Sequence, residues 1–420
     1  MKRNGEVLAA LITGNIPPVF RAETGEQGGR SIIKTESIDC SKTESTESVD
    51  CSVDSEEAVM RQITIGKTGI TAPQNGFGAL PIQRVSKDEA VTILRAAYAG
   101  GMRYFDTARA YSDSEEKIGA AFGWTGEIAD DGYKRPARED IFIATKTAAK
   151  TPDAFWQDLH TSLEKMKTPY IDVYQFHQMG QCYKPGDGTG MYEAMLEAKK
   201  QGLIHHIGGT AHKIGIAMEV AESGLYETVQ FPFSYLAGKK ELELVETCRK
   251  NGVGFIAMKG LAGGLINNSK AAMAFMSQFD NVMPIWGIQR MSELEEWLSY
   301  MDSTPQMDSE ISAFIDKEQK ELSGDFCRGC GYCMPCTVGI QINQCARMSL
   351  MLRRAPSDSW LSPHWQEEMN KIDNCVNCRL CASRCPYELD TPNLLRKNLA
   401  DYRNVLAGRA SVQEHVHFGK

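Results

Sequence analysis

The chain has 420 residues, 42% of them hydrophobic and 24% charged, with a net charge of −8. That length allows one large domain with a smaller one beside it. The acidic balance argues against nucleic acid or an anionic membrane as the main partner, and no apolar run is long enough to span a bilayer, so a cytoplasmic protein is expected.

Residues 1–59 differ in character from the rest of the chain. An early apolar stretch, LAALI, is too short for a secretory segment. Between Lys34 and Glu57 the chain is mostly Ser, Thr, Glu and Asp, with TESIDCS and TESVDCS as near-duplicates. Such a segment buries too little apolar surface to offset its ordering entropy, so a disordered arm is expected, with Met60 as an alternative start. Cys40 and Cys51 lie inside it and are not expected to bind metal.

From Met60 the pattern changes. RQITIGKTGITAP reads as a β-hairpin turning near Gly69. Short β-branched or aromatic runs then alternate with longer amphipathic stretches. The runs are GFGAL, RYFDTA, IFIATK, IDVYQFH, IHHIGG, TVQFPF, VGFIAMKG and VMPIWGI. KDEAVTILRAAYAG, PDAFWQDLHTSLEKM, ELELVETCRKNG and SELEEWLSYM are among the expected helices, and Gly100, Gly202, Gly224 and Gly252 are expected to end helices as caps. Eight β/α units between residues 60 and 301 predict an α/β fold, a (β/α)8 TIM barrel. Residues 302–325 read as a helical linker, 326–395 as a small, mainly α-helical cysteine-bearing domain, and 396–420 as a tail.

Active sites of such barrels lie at the C-terminal ends of the strands. Asp106 closes the second barrel run, with Tyr111 in the loop after it; Lys146 closes the third and His177 the fourth. A tyrosine is a sluggish acid at neutral pH. An adjacent lysine ammonium favours the phenolate, and a carboxylate keeps that lysine charged. A histidine at the carbonyl oxygen helps polarise and place a substrate. The four residues fit one proton-transfer site.

Over about residues 60–300 the sequence resembles the aldo/keto reductase family, through FDTARAYSDSE, ATK, DVYQFH, IHHIGGTAH, VQFPFSY and GFIAMKGLAGG in that order. The resemblance implies Tyr111 as general acid, Lys146 and Asp106 as the pair that tunes it, and His177 as the substrate-orienting group. It also implies that Thr210 and Gln230 hold a nicotinamide carboxamide and that the loop Gly260–Gly264, with Leu261 and Gly263, wraps the pyrophosphate. The usual serine–asparagine pair is here Thr210–Ala211, followed by His212, and Met258 stands where an aromatic ring often stacks on nicotinamide. Gln289 and Arg290 fall where a 2′-phosphate would bind, and the charge of Arg290 favours NADP(H) over NAD. Trp297 replaces a common asparagine. The loops 125–139 and 178–190 are expected to set substrate range.

Eight of the thirteen cysteines form two clusters. Cys375, Cys378, Cys381 and Cys385, followed by Pro386, have the ferredoxin spacing that wraps one [4Fe–4S] cube with three cysteines and reaches another with the fourth. Cys327, Cys330, Cys333 and Cys336 are one residue short before the last, and Thr337 replaces proline. The separation of the two runs resembles α-helical ferredoxins. That resemblance implies one cube on Cys327, Cys330, Cys333 and Cys385 and another on Cys375, Cys378, Cys381 and Cys336. Structural zinc, which usually pairs two separated knuckles, is the rival metal. Cys345 is left as a buried apolar cysteine.

The expected activity is hydride exchange between a nicotinamide and a small-molecule carbonyl or alcohol. Two other readings are electron transfer through the clusters to a redox partner and a nicotinamide-sensing regulatory subunit.

Overall fold

A computed structural model describes residues 59–127, 131–322, 326–354 and 357–412. The expected disordered arm, with Cys40 and Cys51, falls almost wholly outside the described residues, as does the end of the tail.

The hairpin forms from β1 (Gln62–Thr64) and β2 (Thr71–Pro73), paired antiparallel. Ile63 is buried between the exposed Gln62 and Thr64, the period-two pattern of a strand with one wet face. Ile63, Ile65 and Ile70 plug the bottom of the barrel against Tyr104, Ile256 and Met283. At the turn, Gly66 has φ +53°, and a Cβ there would lie 2.2 Å from the backbone nitrogen of Gly254.

Eight parallel strands close the barrel. They are β3 (Gly76–Gly78), β4 (Tyr104–Asp106), β5 (Phe142–Thr147), β6 (Ile171–Phe176), β7 (Ile204–Thr210), β8 (Thr228–Pro232), β9 (Gly254–Met258) and β10 (Val282–Gly287). The last pairs with both β3 and β9. Every residue of β6 is buried, as expected of a strand covered by side chains within and helices without.

The helices are α1 (Lys87–Ala99), α2 (Ser114–Ala121), α3 (Pro152–Met166), α4 (Met191–Lys200), α5 (Ile214–Glu222), α6 (Lys239–Asn251), α7 (Ser269–Met276) and α8 (Met291–Asp302). Local chemistry sets their ends. Ser86 and Glu89 form a capping box before α1. Gly252 takes φ +67° to close α6. Gly100 caps α1 as expected, with φ −79°, and the left-handed turn falls on the next residue, Gly101, with φ +100°.

The expected linker holds α9 (Ser309–Glu321), which packs on the barrel rather than merely bridging. Ile311 and Ile315 belong to the barrel's core, and the buried Glu318 accepts from the Tyr235 hydroxyl at 3.2 Å and from Arg354 at 2.7 Å.

Beyond it stand α10 (Ile342–Cys345), α11 (Met348–Arg354), α12 (Pro363–Asn370), α13 (Leu380–Ser383) and α14 (Thr391–Leu406). These helices share a separate core that includes Ile342, Leu352, Met369, Leu399 and Tyr402. The boundary expected at residue 395 falls inside α14, because Leu395, Leu399, Tyr402 and Val405 form one apolar stripe in that core. Cys345 is fully buried there, its thiol 3.8 Å from the Glu368 carbonyl, as a spare apolar cysteine should be. Among the described residues no helix is long and apolar enough to cross a membrane.

Candidate active site

The ends of β4, β5 and β6 bring three of the expected residues to one mouth, and the loop after β4 brings the fourth. Lys146 donates to Asp106 Oδ1 at 2.5 Å and to the Thr107 carbonyl at 2.6 Å. Both side chains of the ion pair are almost fully buried. The Lys146 ammonium lies 5.2 Å from the centre of the Tyr111 ring. The rings of Tyr111 and His177 meet edge to face, with centroids 5.7 Å apart.

The loop that carries Tyr111 is held from below. Buried Glu115 pairs with Arg109 and accepts from the Thr145 hydroxyl at 2.7 Å. The Arg109 amide donates to the Lys146 carbonyl at 3.0 Å, tying the loop to the next strand. Glu115 and Arg109 lie in and beside the AYSDSE stretch but carry no sign of this role in sequence. Nor does Gln175: it and Gln230 donate to the two oxygens of Asp106 at 3.3 and 3.4 Å.

Burial pushes the Asp106 carboxyl up, and Lys146 in direct contact opposes this. At Tyr111 burial outweighs the charge and hydrogen bond of Lys146, so the phenol sits above its usual value. This corrects the expectation that lysine would leave a lowered phenol. His177 has its pKa lowered to about 3, by burial first and then by the charges of Lys146 and Lys150. It is a neutral imidazole across the physiological range.

Thr210 and Gln230 are neighbours on β7 and β8. The Thr210 hydroxyl accepts from the Gln178 amide at 2.8 Å, while Gln230 Oε1 is buried without a partner among the described residues. The loop Gly260–Gly264 differs more from expectation. A Cβ on Gly260 would meet the Trp286 ring at 2.5 Å, so packing alone requires that glycine. Leu261 leans on the barrel core. The Gly263 carbonyl accepts from Arg347 at 2.9 Å, so the cysteine-bearing module covers this part of the loop. Gly264 has φ +93°, with Met351 of the same module close by. Trp297 is buried, stacked on Trp286 at 3.9 Å. Gln289 and Arg290 lead into α8, and the exposed Arg290 pairs with Glu293 at 3.0 Å.

The cysteines line two cavities that share Cys333 and Ile342 in their walls. The inner has Cys327, Cys330, Cys333 and Cys385 around it. The outer has Cys333, Cys336, Cys375, Cys378 and Cys381. The eight clustered cysteines thus fall around two spaces, with Cys333 bordering both and Cys336 at the outer one. Among the described residues no three His, Cys, Asp or Glu side chains converge closely enough for a single metal ion.

Residues 74–297 match the Aldo/keto reductase family, and residues 326–390 match a 4Fe-4S dicluster domain. An aldo-keto reductase of Strobilurus tenacellus is 28% identical over 221 residues, which cover 50% of this chain and 61% of that protein. A methylglyoxal reductase of Salmonella typhi is 33% identical over 144 residues, 33% of this chain and 48% of its own. The chain thus spans less than two thirds of either relative. An aldo-keto reductase structure from Bacillus halodurans shares the fold, with a TM-score of 0.52 at 20% identity, over 62% of this chain and 96% of that one.

Proposed function

The chain belongs to the aldo/keto reductase family, and from that premise we propose that it is an NAD(P)H-dependent carbonyl reductase, reversible as an alcohol dehydrogenase, with two [4Fe–4S] clusters in its C-terminal module. The carrying observation is the buried Lys146–Asp106 pair beside Tyr111, with the neutral His177 edge-on to the phenol.

Each residue has a task in this reading. His177 donates a hydrogen bond to the substrate carbonyl oxygen and polarises it. Tyr111 gives its proton to the same oxygen as charge develops there. Lys146 stabilises the phenolate left behind, and Asp106, held by Gln175 and Gln230, keeps the ammonium in place. A nicotinamide bound at Thr210 and Gln230 would supply the hydride that the carbonyl carbon needs.

The mouth fits a nicotinamide. The unpartnered Gln230 Oε1 is an acceptor suited to a carboxamide N–H, and the Thr210 hydroxyl still has a hydrogen to donate. The cations Lys259 and Arg347 flank the glycine loop, where a pyrophosphate would lie. NADP(H) is favoured by Arg290, whose exposed pair with Glu293 is worth under about 1 kcal/mol and yields readily to a phosphate. Each cavity offers a cube four thiolates around a space rather than a point.

Tyr111→Phe removes the proton donor and leaves the ring. Carbonyl reduction by the holoprotein is expected to fall roughly 10²- to 10⁴-fold. Full activity in that variant on a carbonyl panel would sink the assignment.

One observation favours electron transfer as a second reading. Cys378 at the outer cavity is exposed, and Val376 and Leu380 beside it are 66% and 37% exposed, a setting open to a redox partner. Hydride moves two electrons and a cube one, so exchange between them calls for a splitting group such as a flavin. Anaerobic holoprotein mixed with NADPH decides: bleaching of the visible bands supports electron transfer, and turnover without bleaching assigns the clusters a structural role.

A further inference from the structure

Arg347, between α10 and α11, stands where the first cysteine loop meets the glycine loop of the barrel. Its Nη1 donates to the Gly263 carbonyl at 2.9 Å, and Nε and Nη2 donate to Gln344 Oε1 at 3.2 and 2.9 Å. Gly329, between Cys327 and Cys330, lies under the guanidinium. A Cβ there would come within 2.9 Å of Nη1, and one on Gly263 within 2.8 Å of the same atom. Both glycines have positive φ, so the two loops close on one cation that side chains would displace. The Gly329 amide donates to Cys327 Sγ at 3.4 Å. Arg347 is 8% exposed, and its hydrogen-bond partners among the described residues are neutral oxygens.

Lys259 opens the glycine loop on the barrel side. Burial depresses its ammonium, the Cys330 and Cys327 thiolates work against that, and Arg347 adds to it. After burial, Lys259 is also the charge that bears most on His212 beyond β7. Arg347 by contact and Lys259 by charge thus link the wall of the inner cavity to the loop given above to a pyrophosphate. A buried charge is costly without an opposite partner, and salt screens it little. The anions that suit the pair are a bound pyrophosphate on one side and a thiolate-ligated cube on the other.

We propose that Lys259 and Arg347 are shared between a bound nicotinamide dinucleotide and the inner cluster, so that each anion weakens the pair's hold on the other. This rests on the nicotinamide-dependent reading and adds regulation to it. Reduction of the inner cube by an external one-electron carrier protein puts one more negative charge beside the pair, with no bond made or broken. The cations favour that reduced state, because the net charge around a cluster helps set its potential. A pyrophosphate that draws on the same cations makes the cube harder to reduce. By reciprocity the reduced protein holds the nucleotide less tightly, by the same factor. The coupling needs charge alone, so it operates even where no electron passes between cube and nicotinamide. The module then reports the redox state of its surroundings to the barrel by setting how much cofactor the barrel holds.

The probe is tetrahydro-NADP, whose over-reduced ring cannot exchange a hydride and whose pyrophosphate is intact. Anaerobic holoprotein is titrated with dithionite, with and without saturating probe, and the reduced clusters are followed by electron paramagnetic resonance. One of the two reduction steps should move to lower potential by about 40–60 mV, a fivefold to tenfold coupling at about 59 mV per tenfold for one electron. The other step should stay in place. Calorimetry should find the probe bound roughly fivefold to tenfold more weakly by reduced than by oxidised protein. Arg347→Met, which removes the charge and keeps most of the length, should lower the potential of the same step without probe and at least halve the shift that the probe causes. Arg347→Lys should retain most of that shift. If Arg347→Met loses iron, Lys259→Met, outside the cysteine module, gives the same reading. A probe that binds the wild type and moves neither step, or moves both equally, overturns the proposal. Failure of both the NADP and the NAD form of the probe to bind overturns the nicotinamide reading itself.

Discussion

At Tyr111 burial and charge pull in opposite directions, and burial wins. A phenol held above its ordinary value keeps its proton, which suits a donor in the direction of reduction. His177, with its pKa lowered to about 3, stays neutral from about pH 5 upward. Neither group therefore changes protonation between about pH 6 and pH 9, and loss of the phenol proton begins only above the ordinary tyrosine value of about 10. The pH profile of kcat/KM for carbonyl reduction is expected to be flat across that window. An acid limb with its midpoint near the ordinary histidine value would show that His177 titrates in the active range. The four residues of the mouth were legible in sequence because strand ends in an alternating β/α pattern mark one face. Gln175, Glu115 and Arg109 were not, because their role rests on which side chains meet across neighbouring strands.

The hairpin of β1 and β2 shows what a short element contributes. Its isoleucines close the bottom of the barrel, and the turn brings Gly66 against the start of β9. No side chain fits there: φ is positive, and a Cβ would run into the Gly254 nitrogen and the Gly252 carbonyl, both backbone. Gly66→Ala is expected to cost about 1–3 kcal/mol through overpacking and strain, and so to lower Tm by several degrees. The chemistry lies at the opposite end of the strands, so kcat at 25 °C should stay within about twofold. A melting curve superposed on the wild type would refute the close approach. The eight strands and the hairpin could be read from alternation and turn residues. The extent of α14 could not, because its apolar stripe at Leu395, Leu399, Tyr402 and Val405 acquires meaning only once the core it faces is known.

Across the whole molecule, the cysteine-bearing module is joined to the barrel by buried polar contacts as well as by chain. Arg347 reaches the Gly263 carbonyl, Tyr332 reaches His212, and Arg354 of α11 meets Glu318 of α9, which also holds the Tyr235 hydroxyl after β8. None of these contacts has a sequence signature, which is why residues 302–325 read as a simple linker. The Arg354–Glu318 pair is deeply buried, with side-chain exposures of 10% and 8%. Glu318→Ala would strand that guanidinium, leaving it the half-exposed Glu321 at 3.8 Å. Breaking one side of a buried pair costs about 3–5 kcal/mol, most of it the uncompensated charge. Replacing both residues with apolar ones removes that penalty, so a Glu318→Leu/Arg354→Met double variant should recover much of the loss. The expected order in thermal unfolding is wild type, then double variant, then Glu318→Ala. Limited proteolysis adds a second readout: if the pair seats the module on the barrel, Glu318→Ala should be cut faster between residues 302 and 325. Equal cutting rates would mean that the other contacts suffice to hold the module in place.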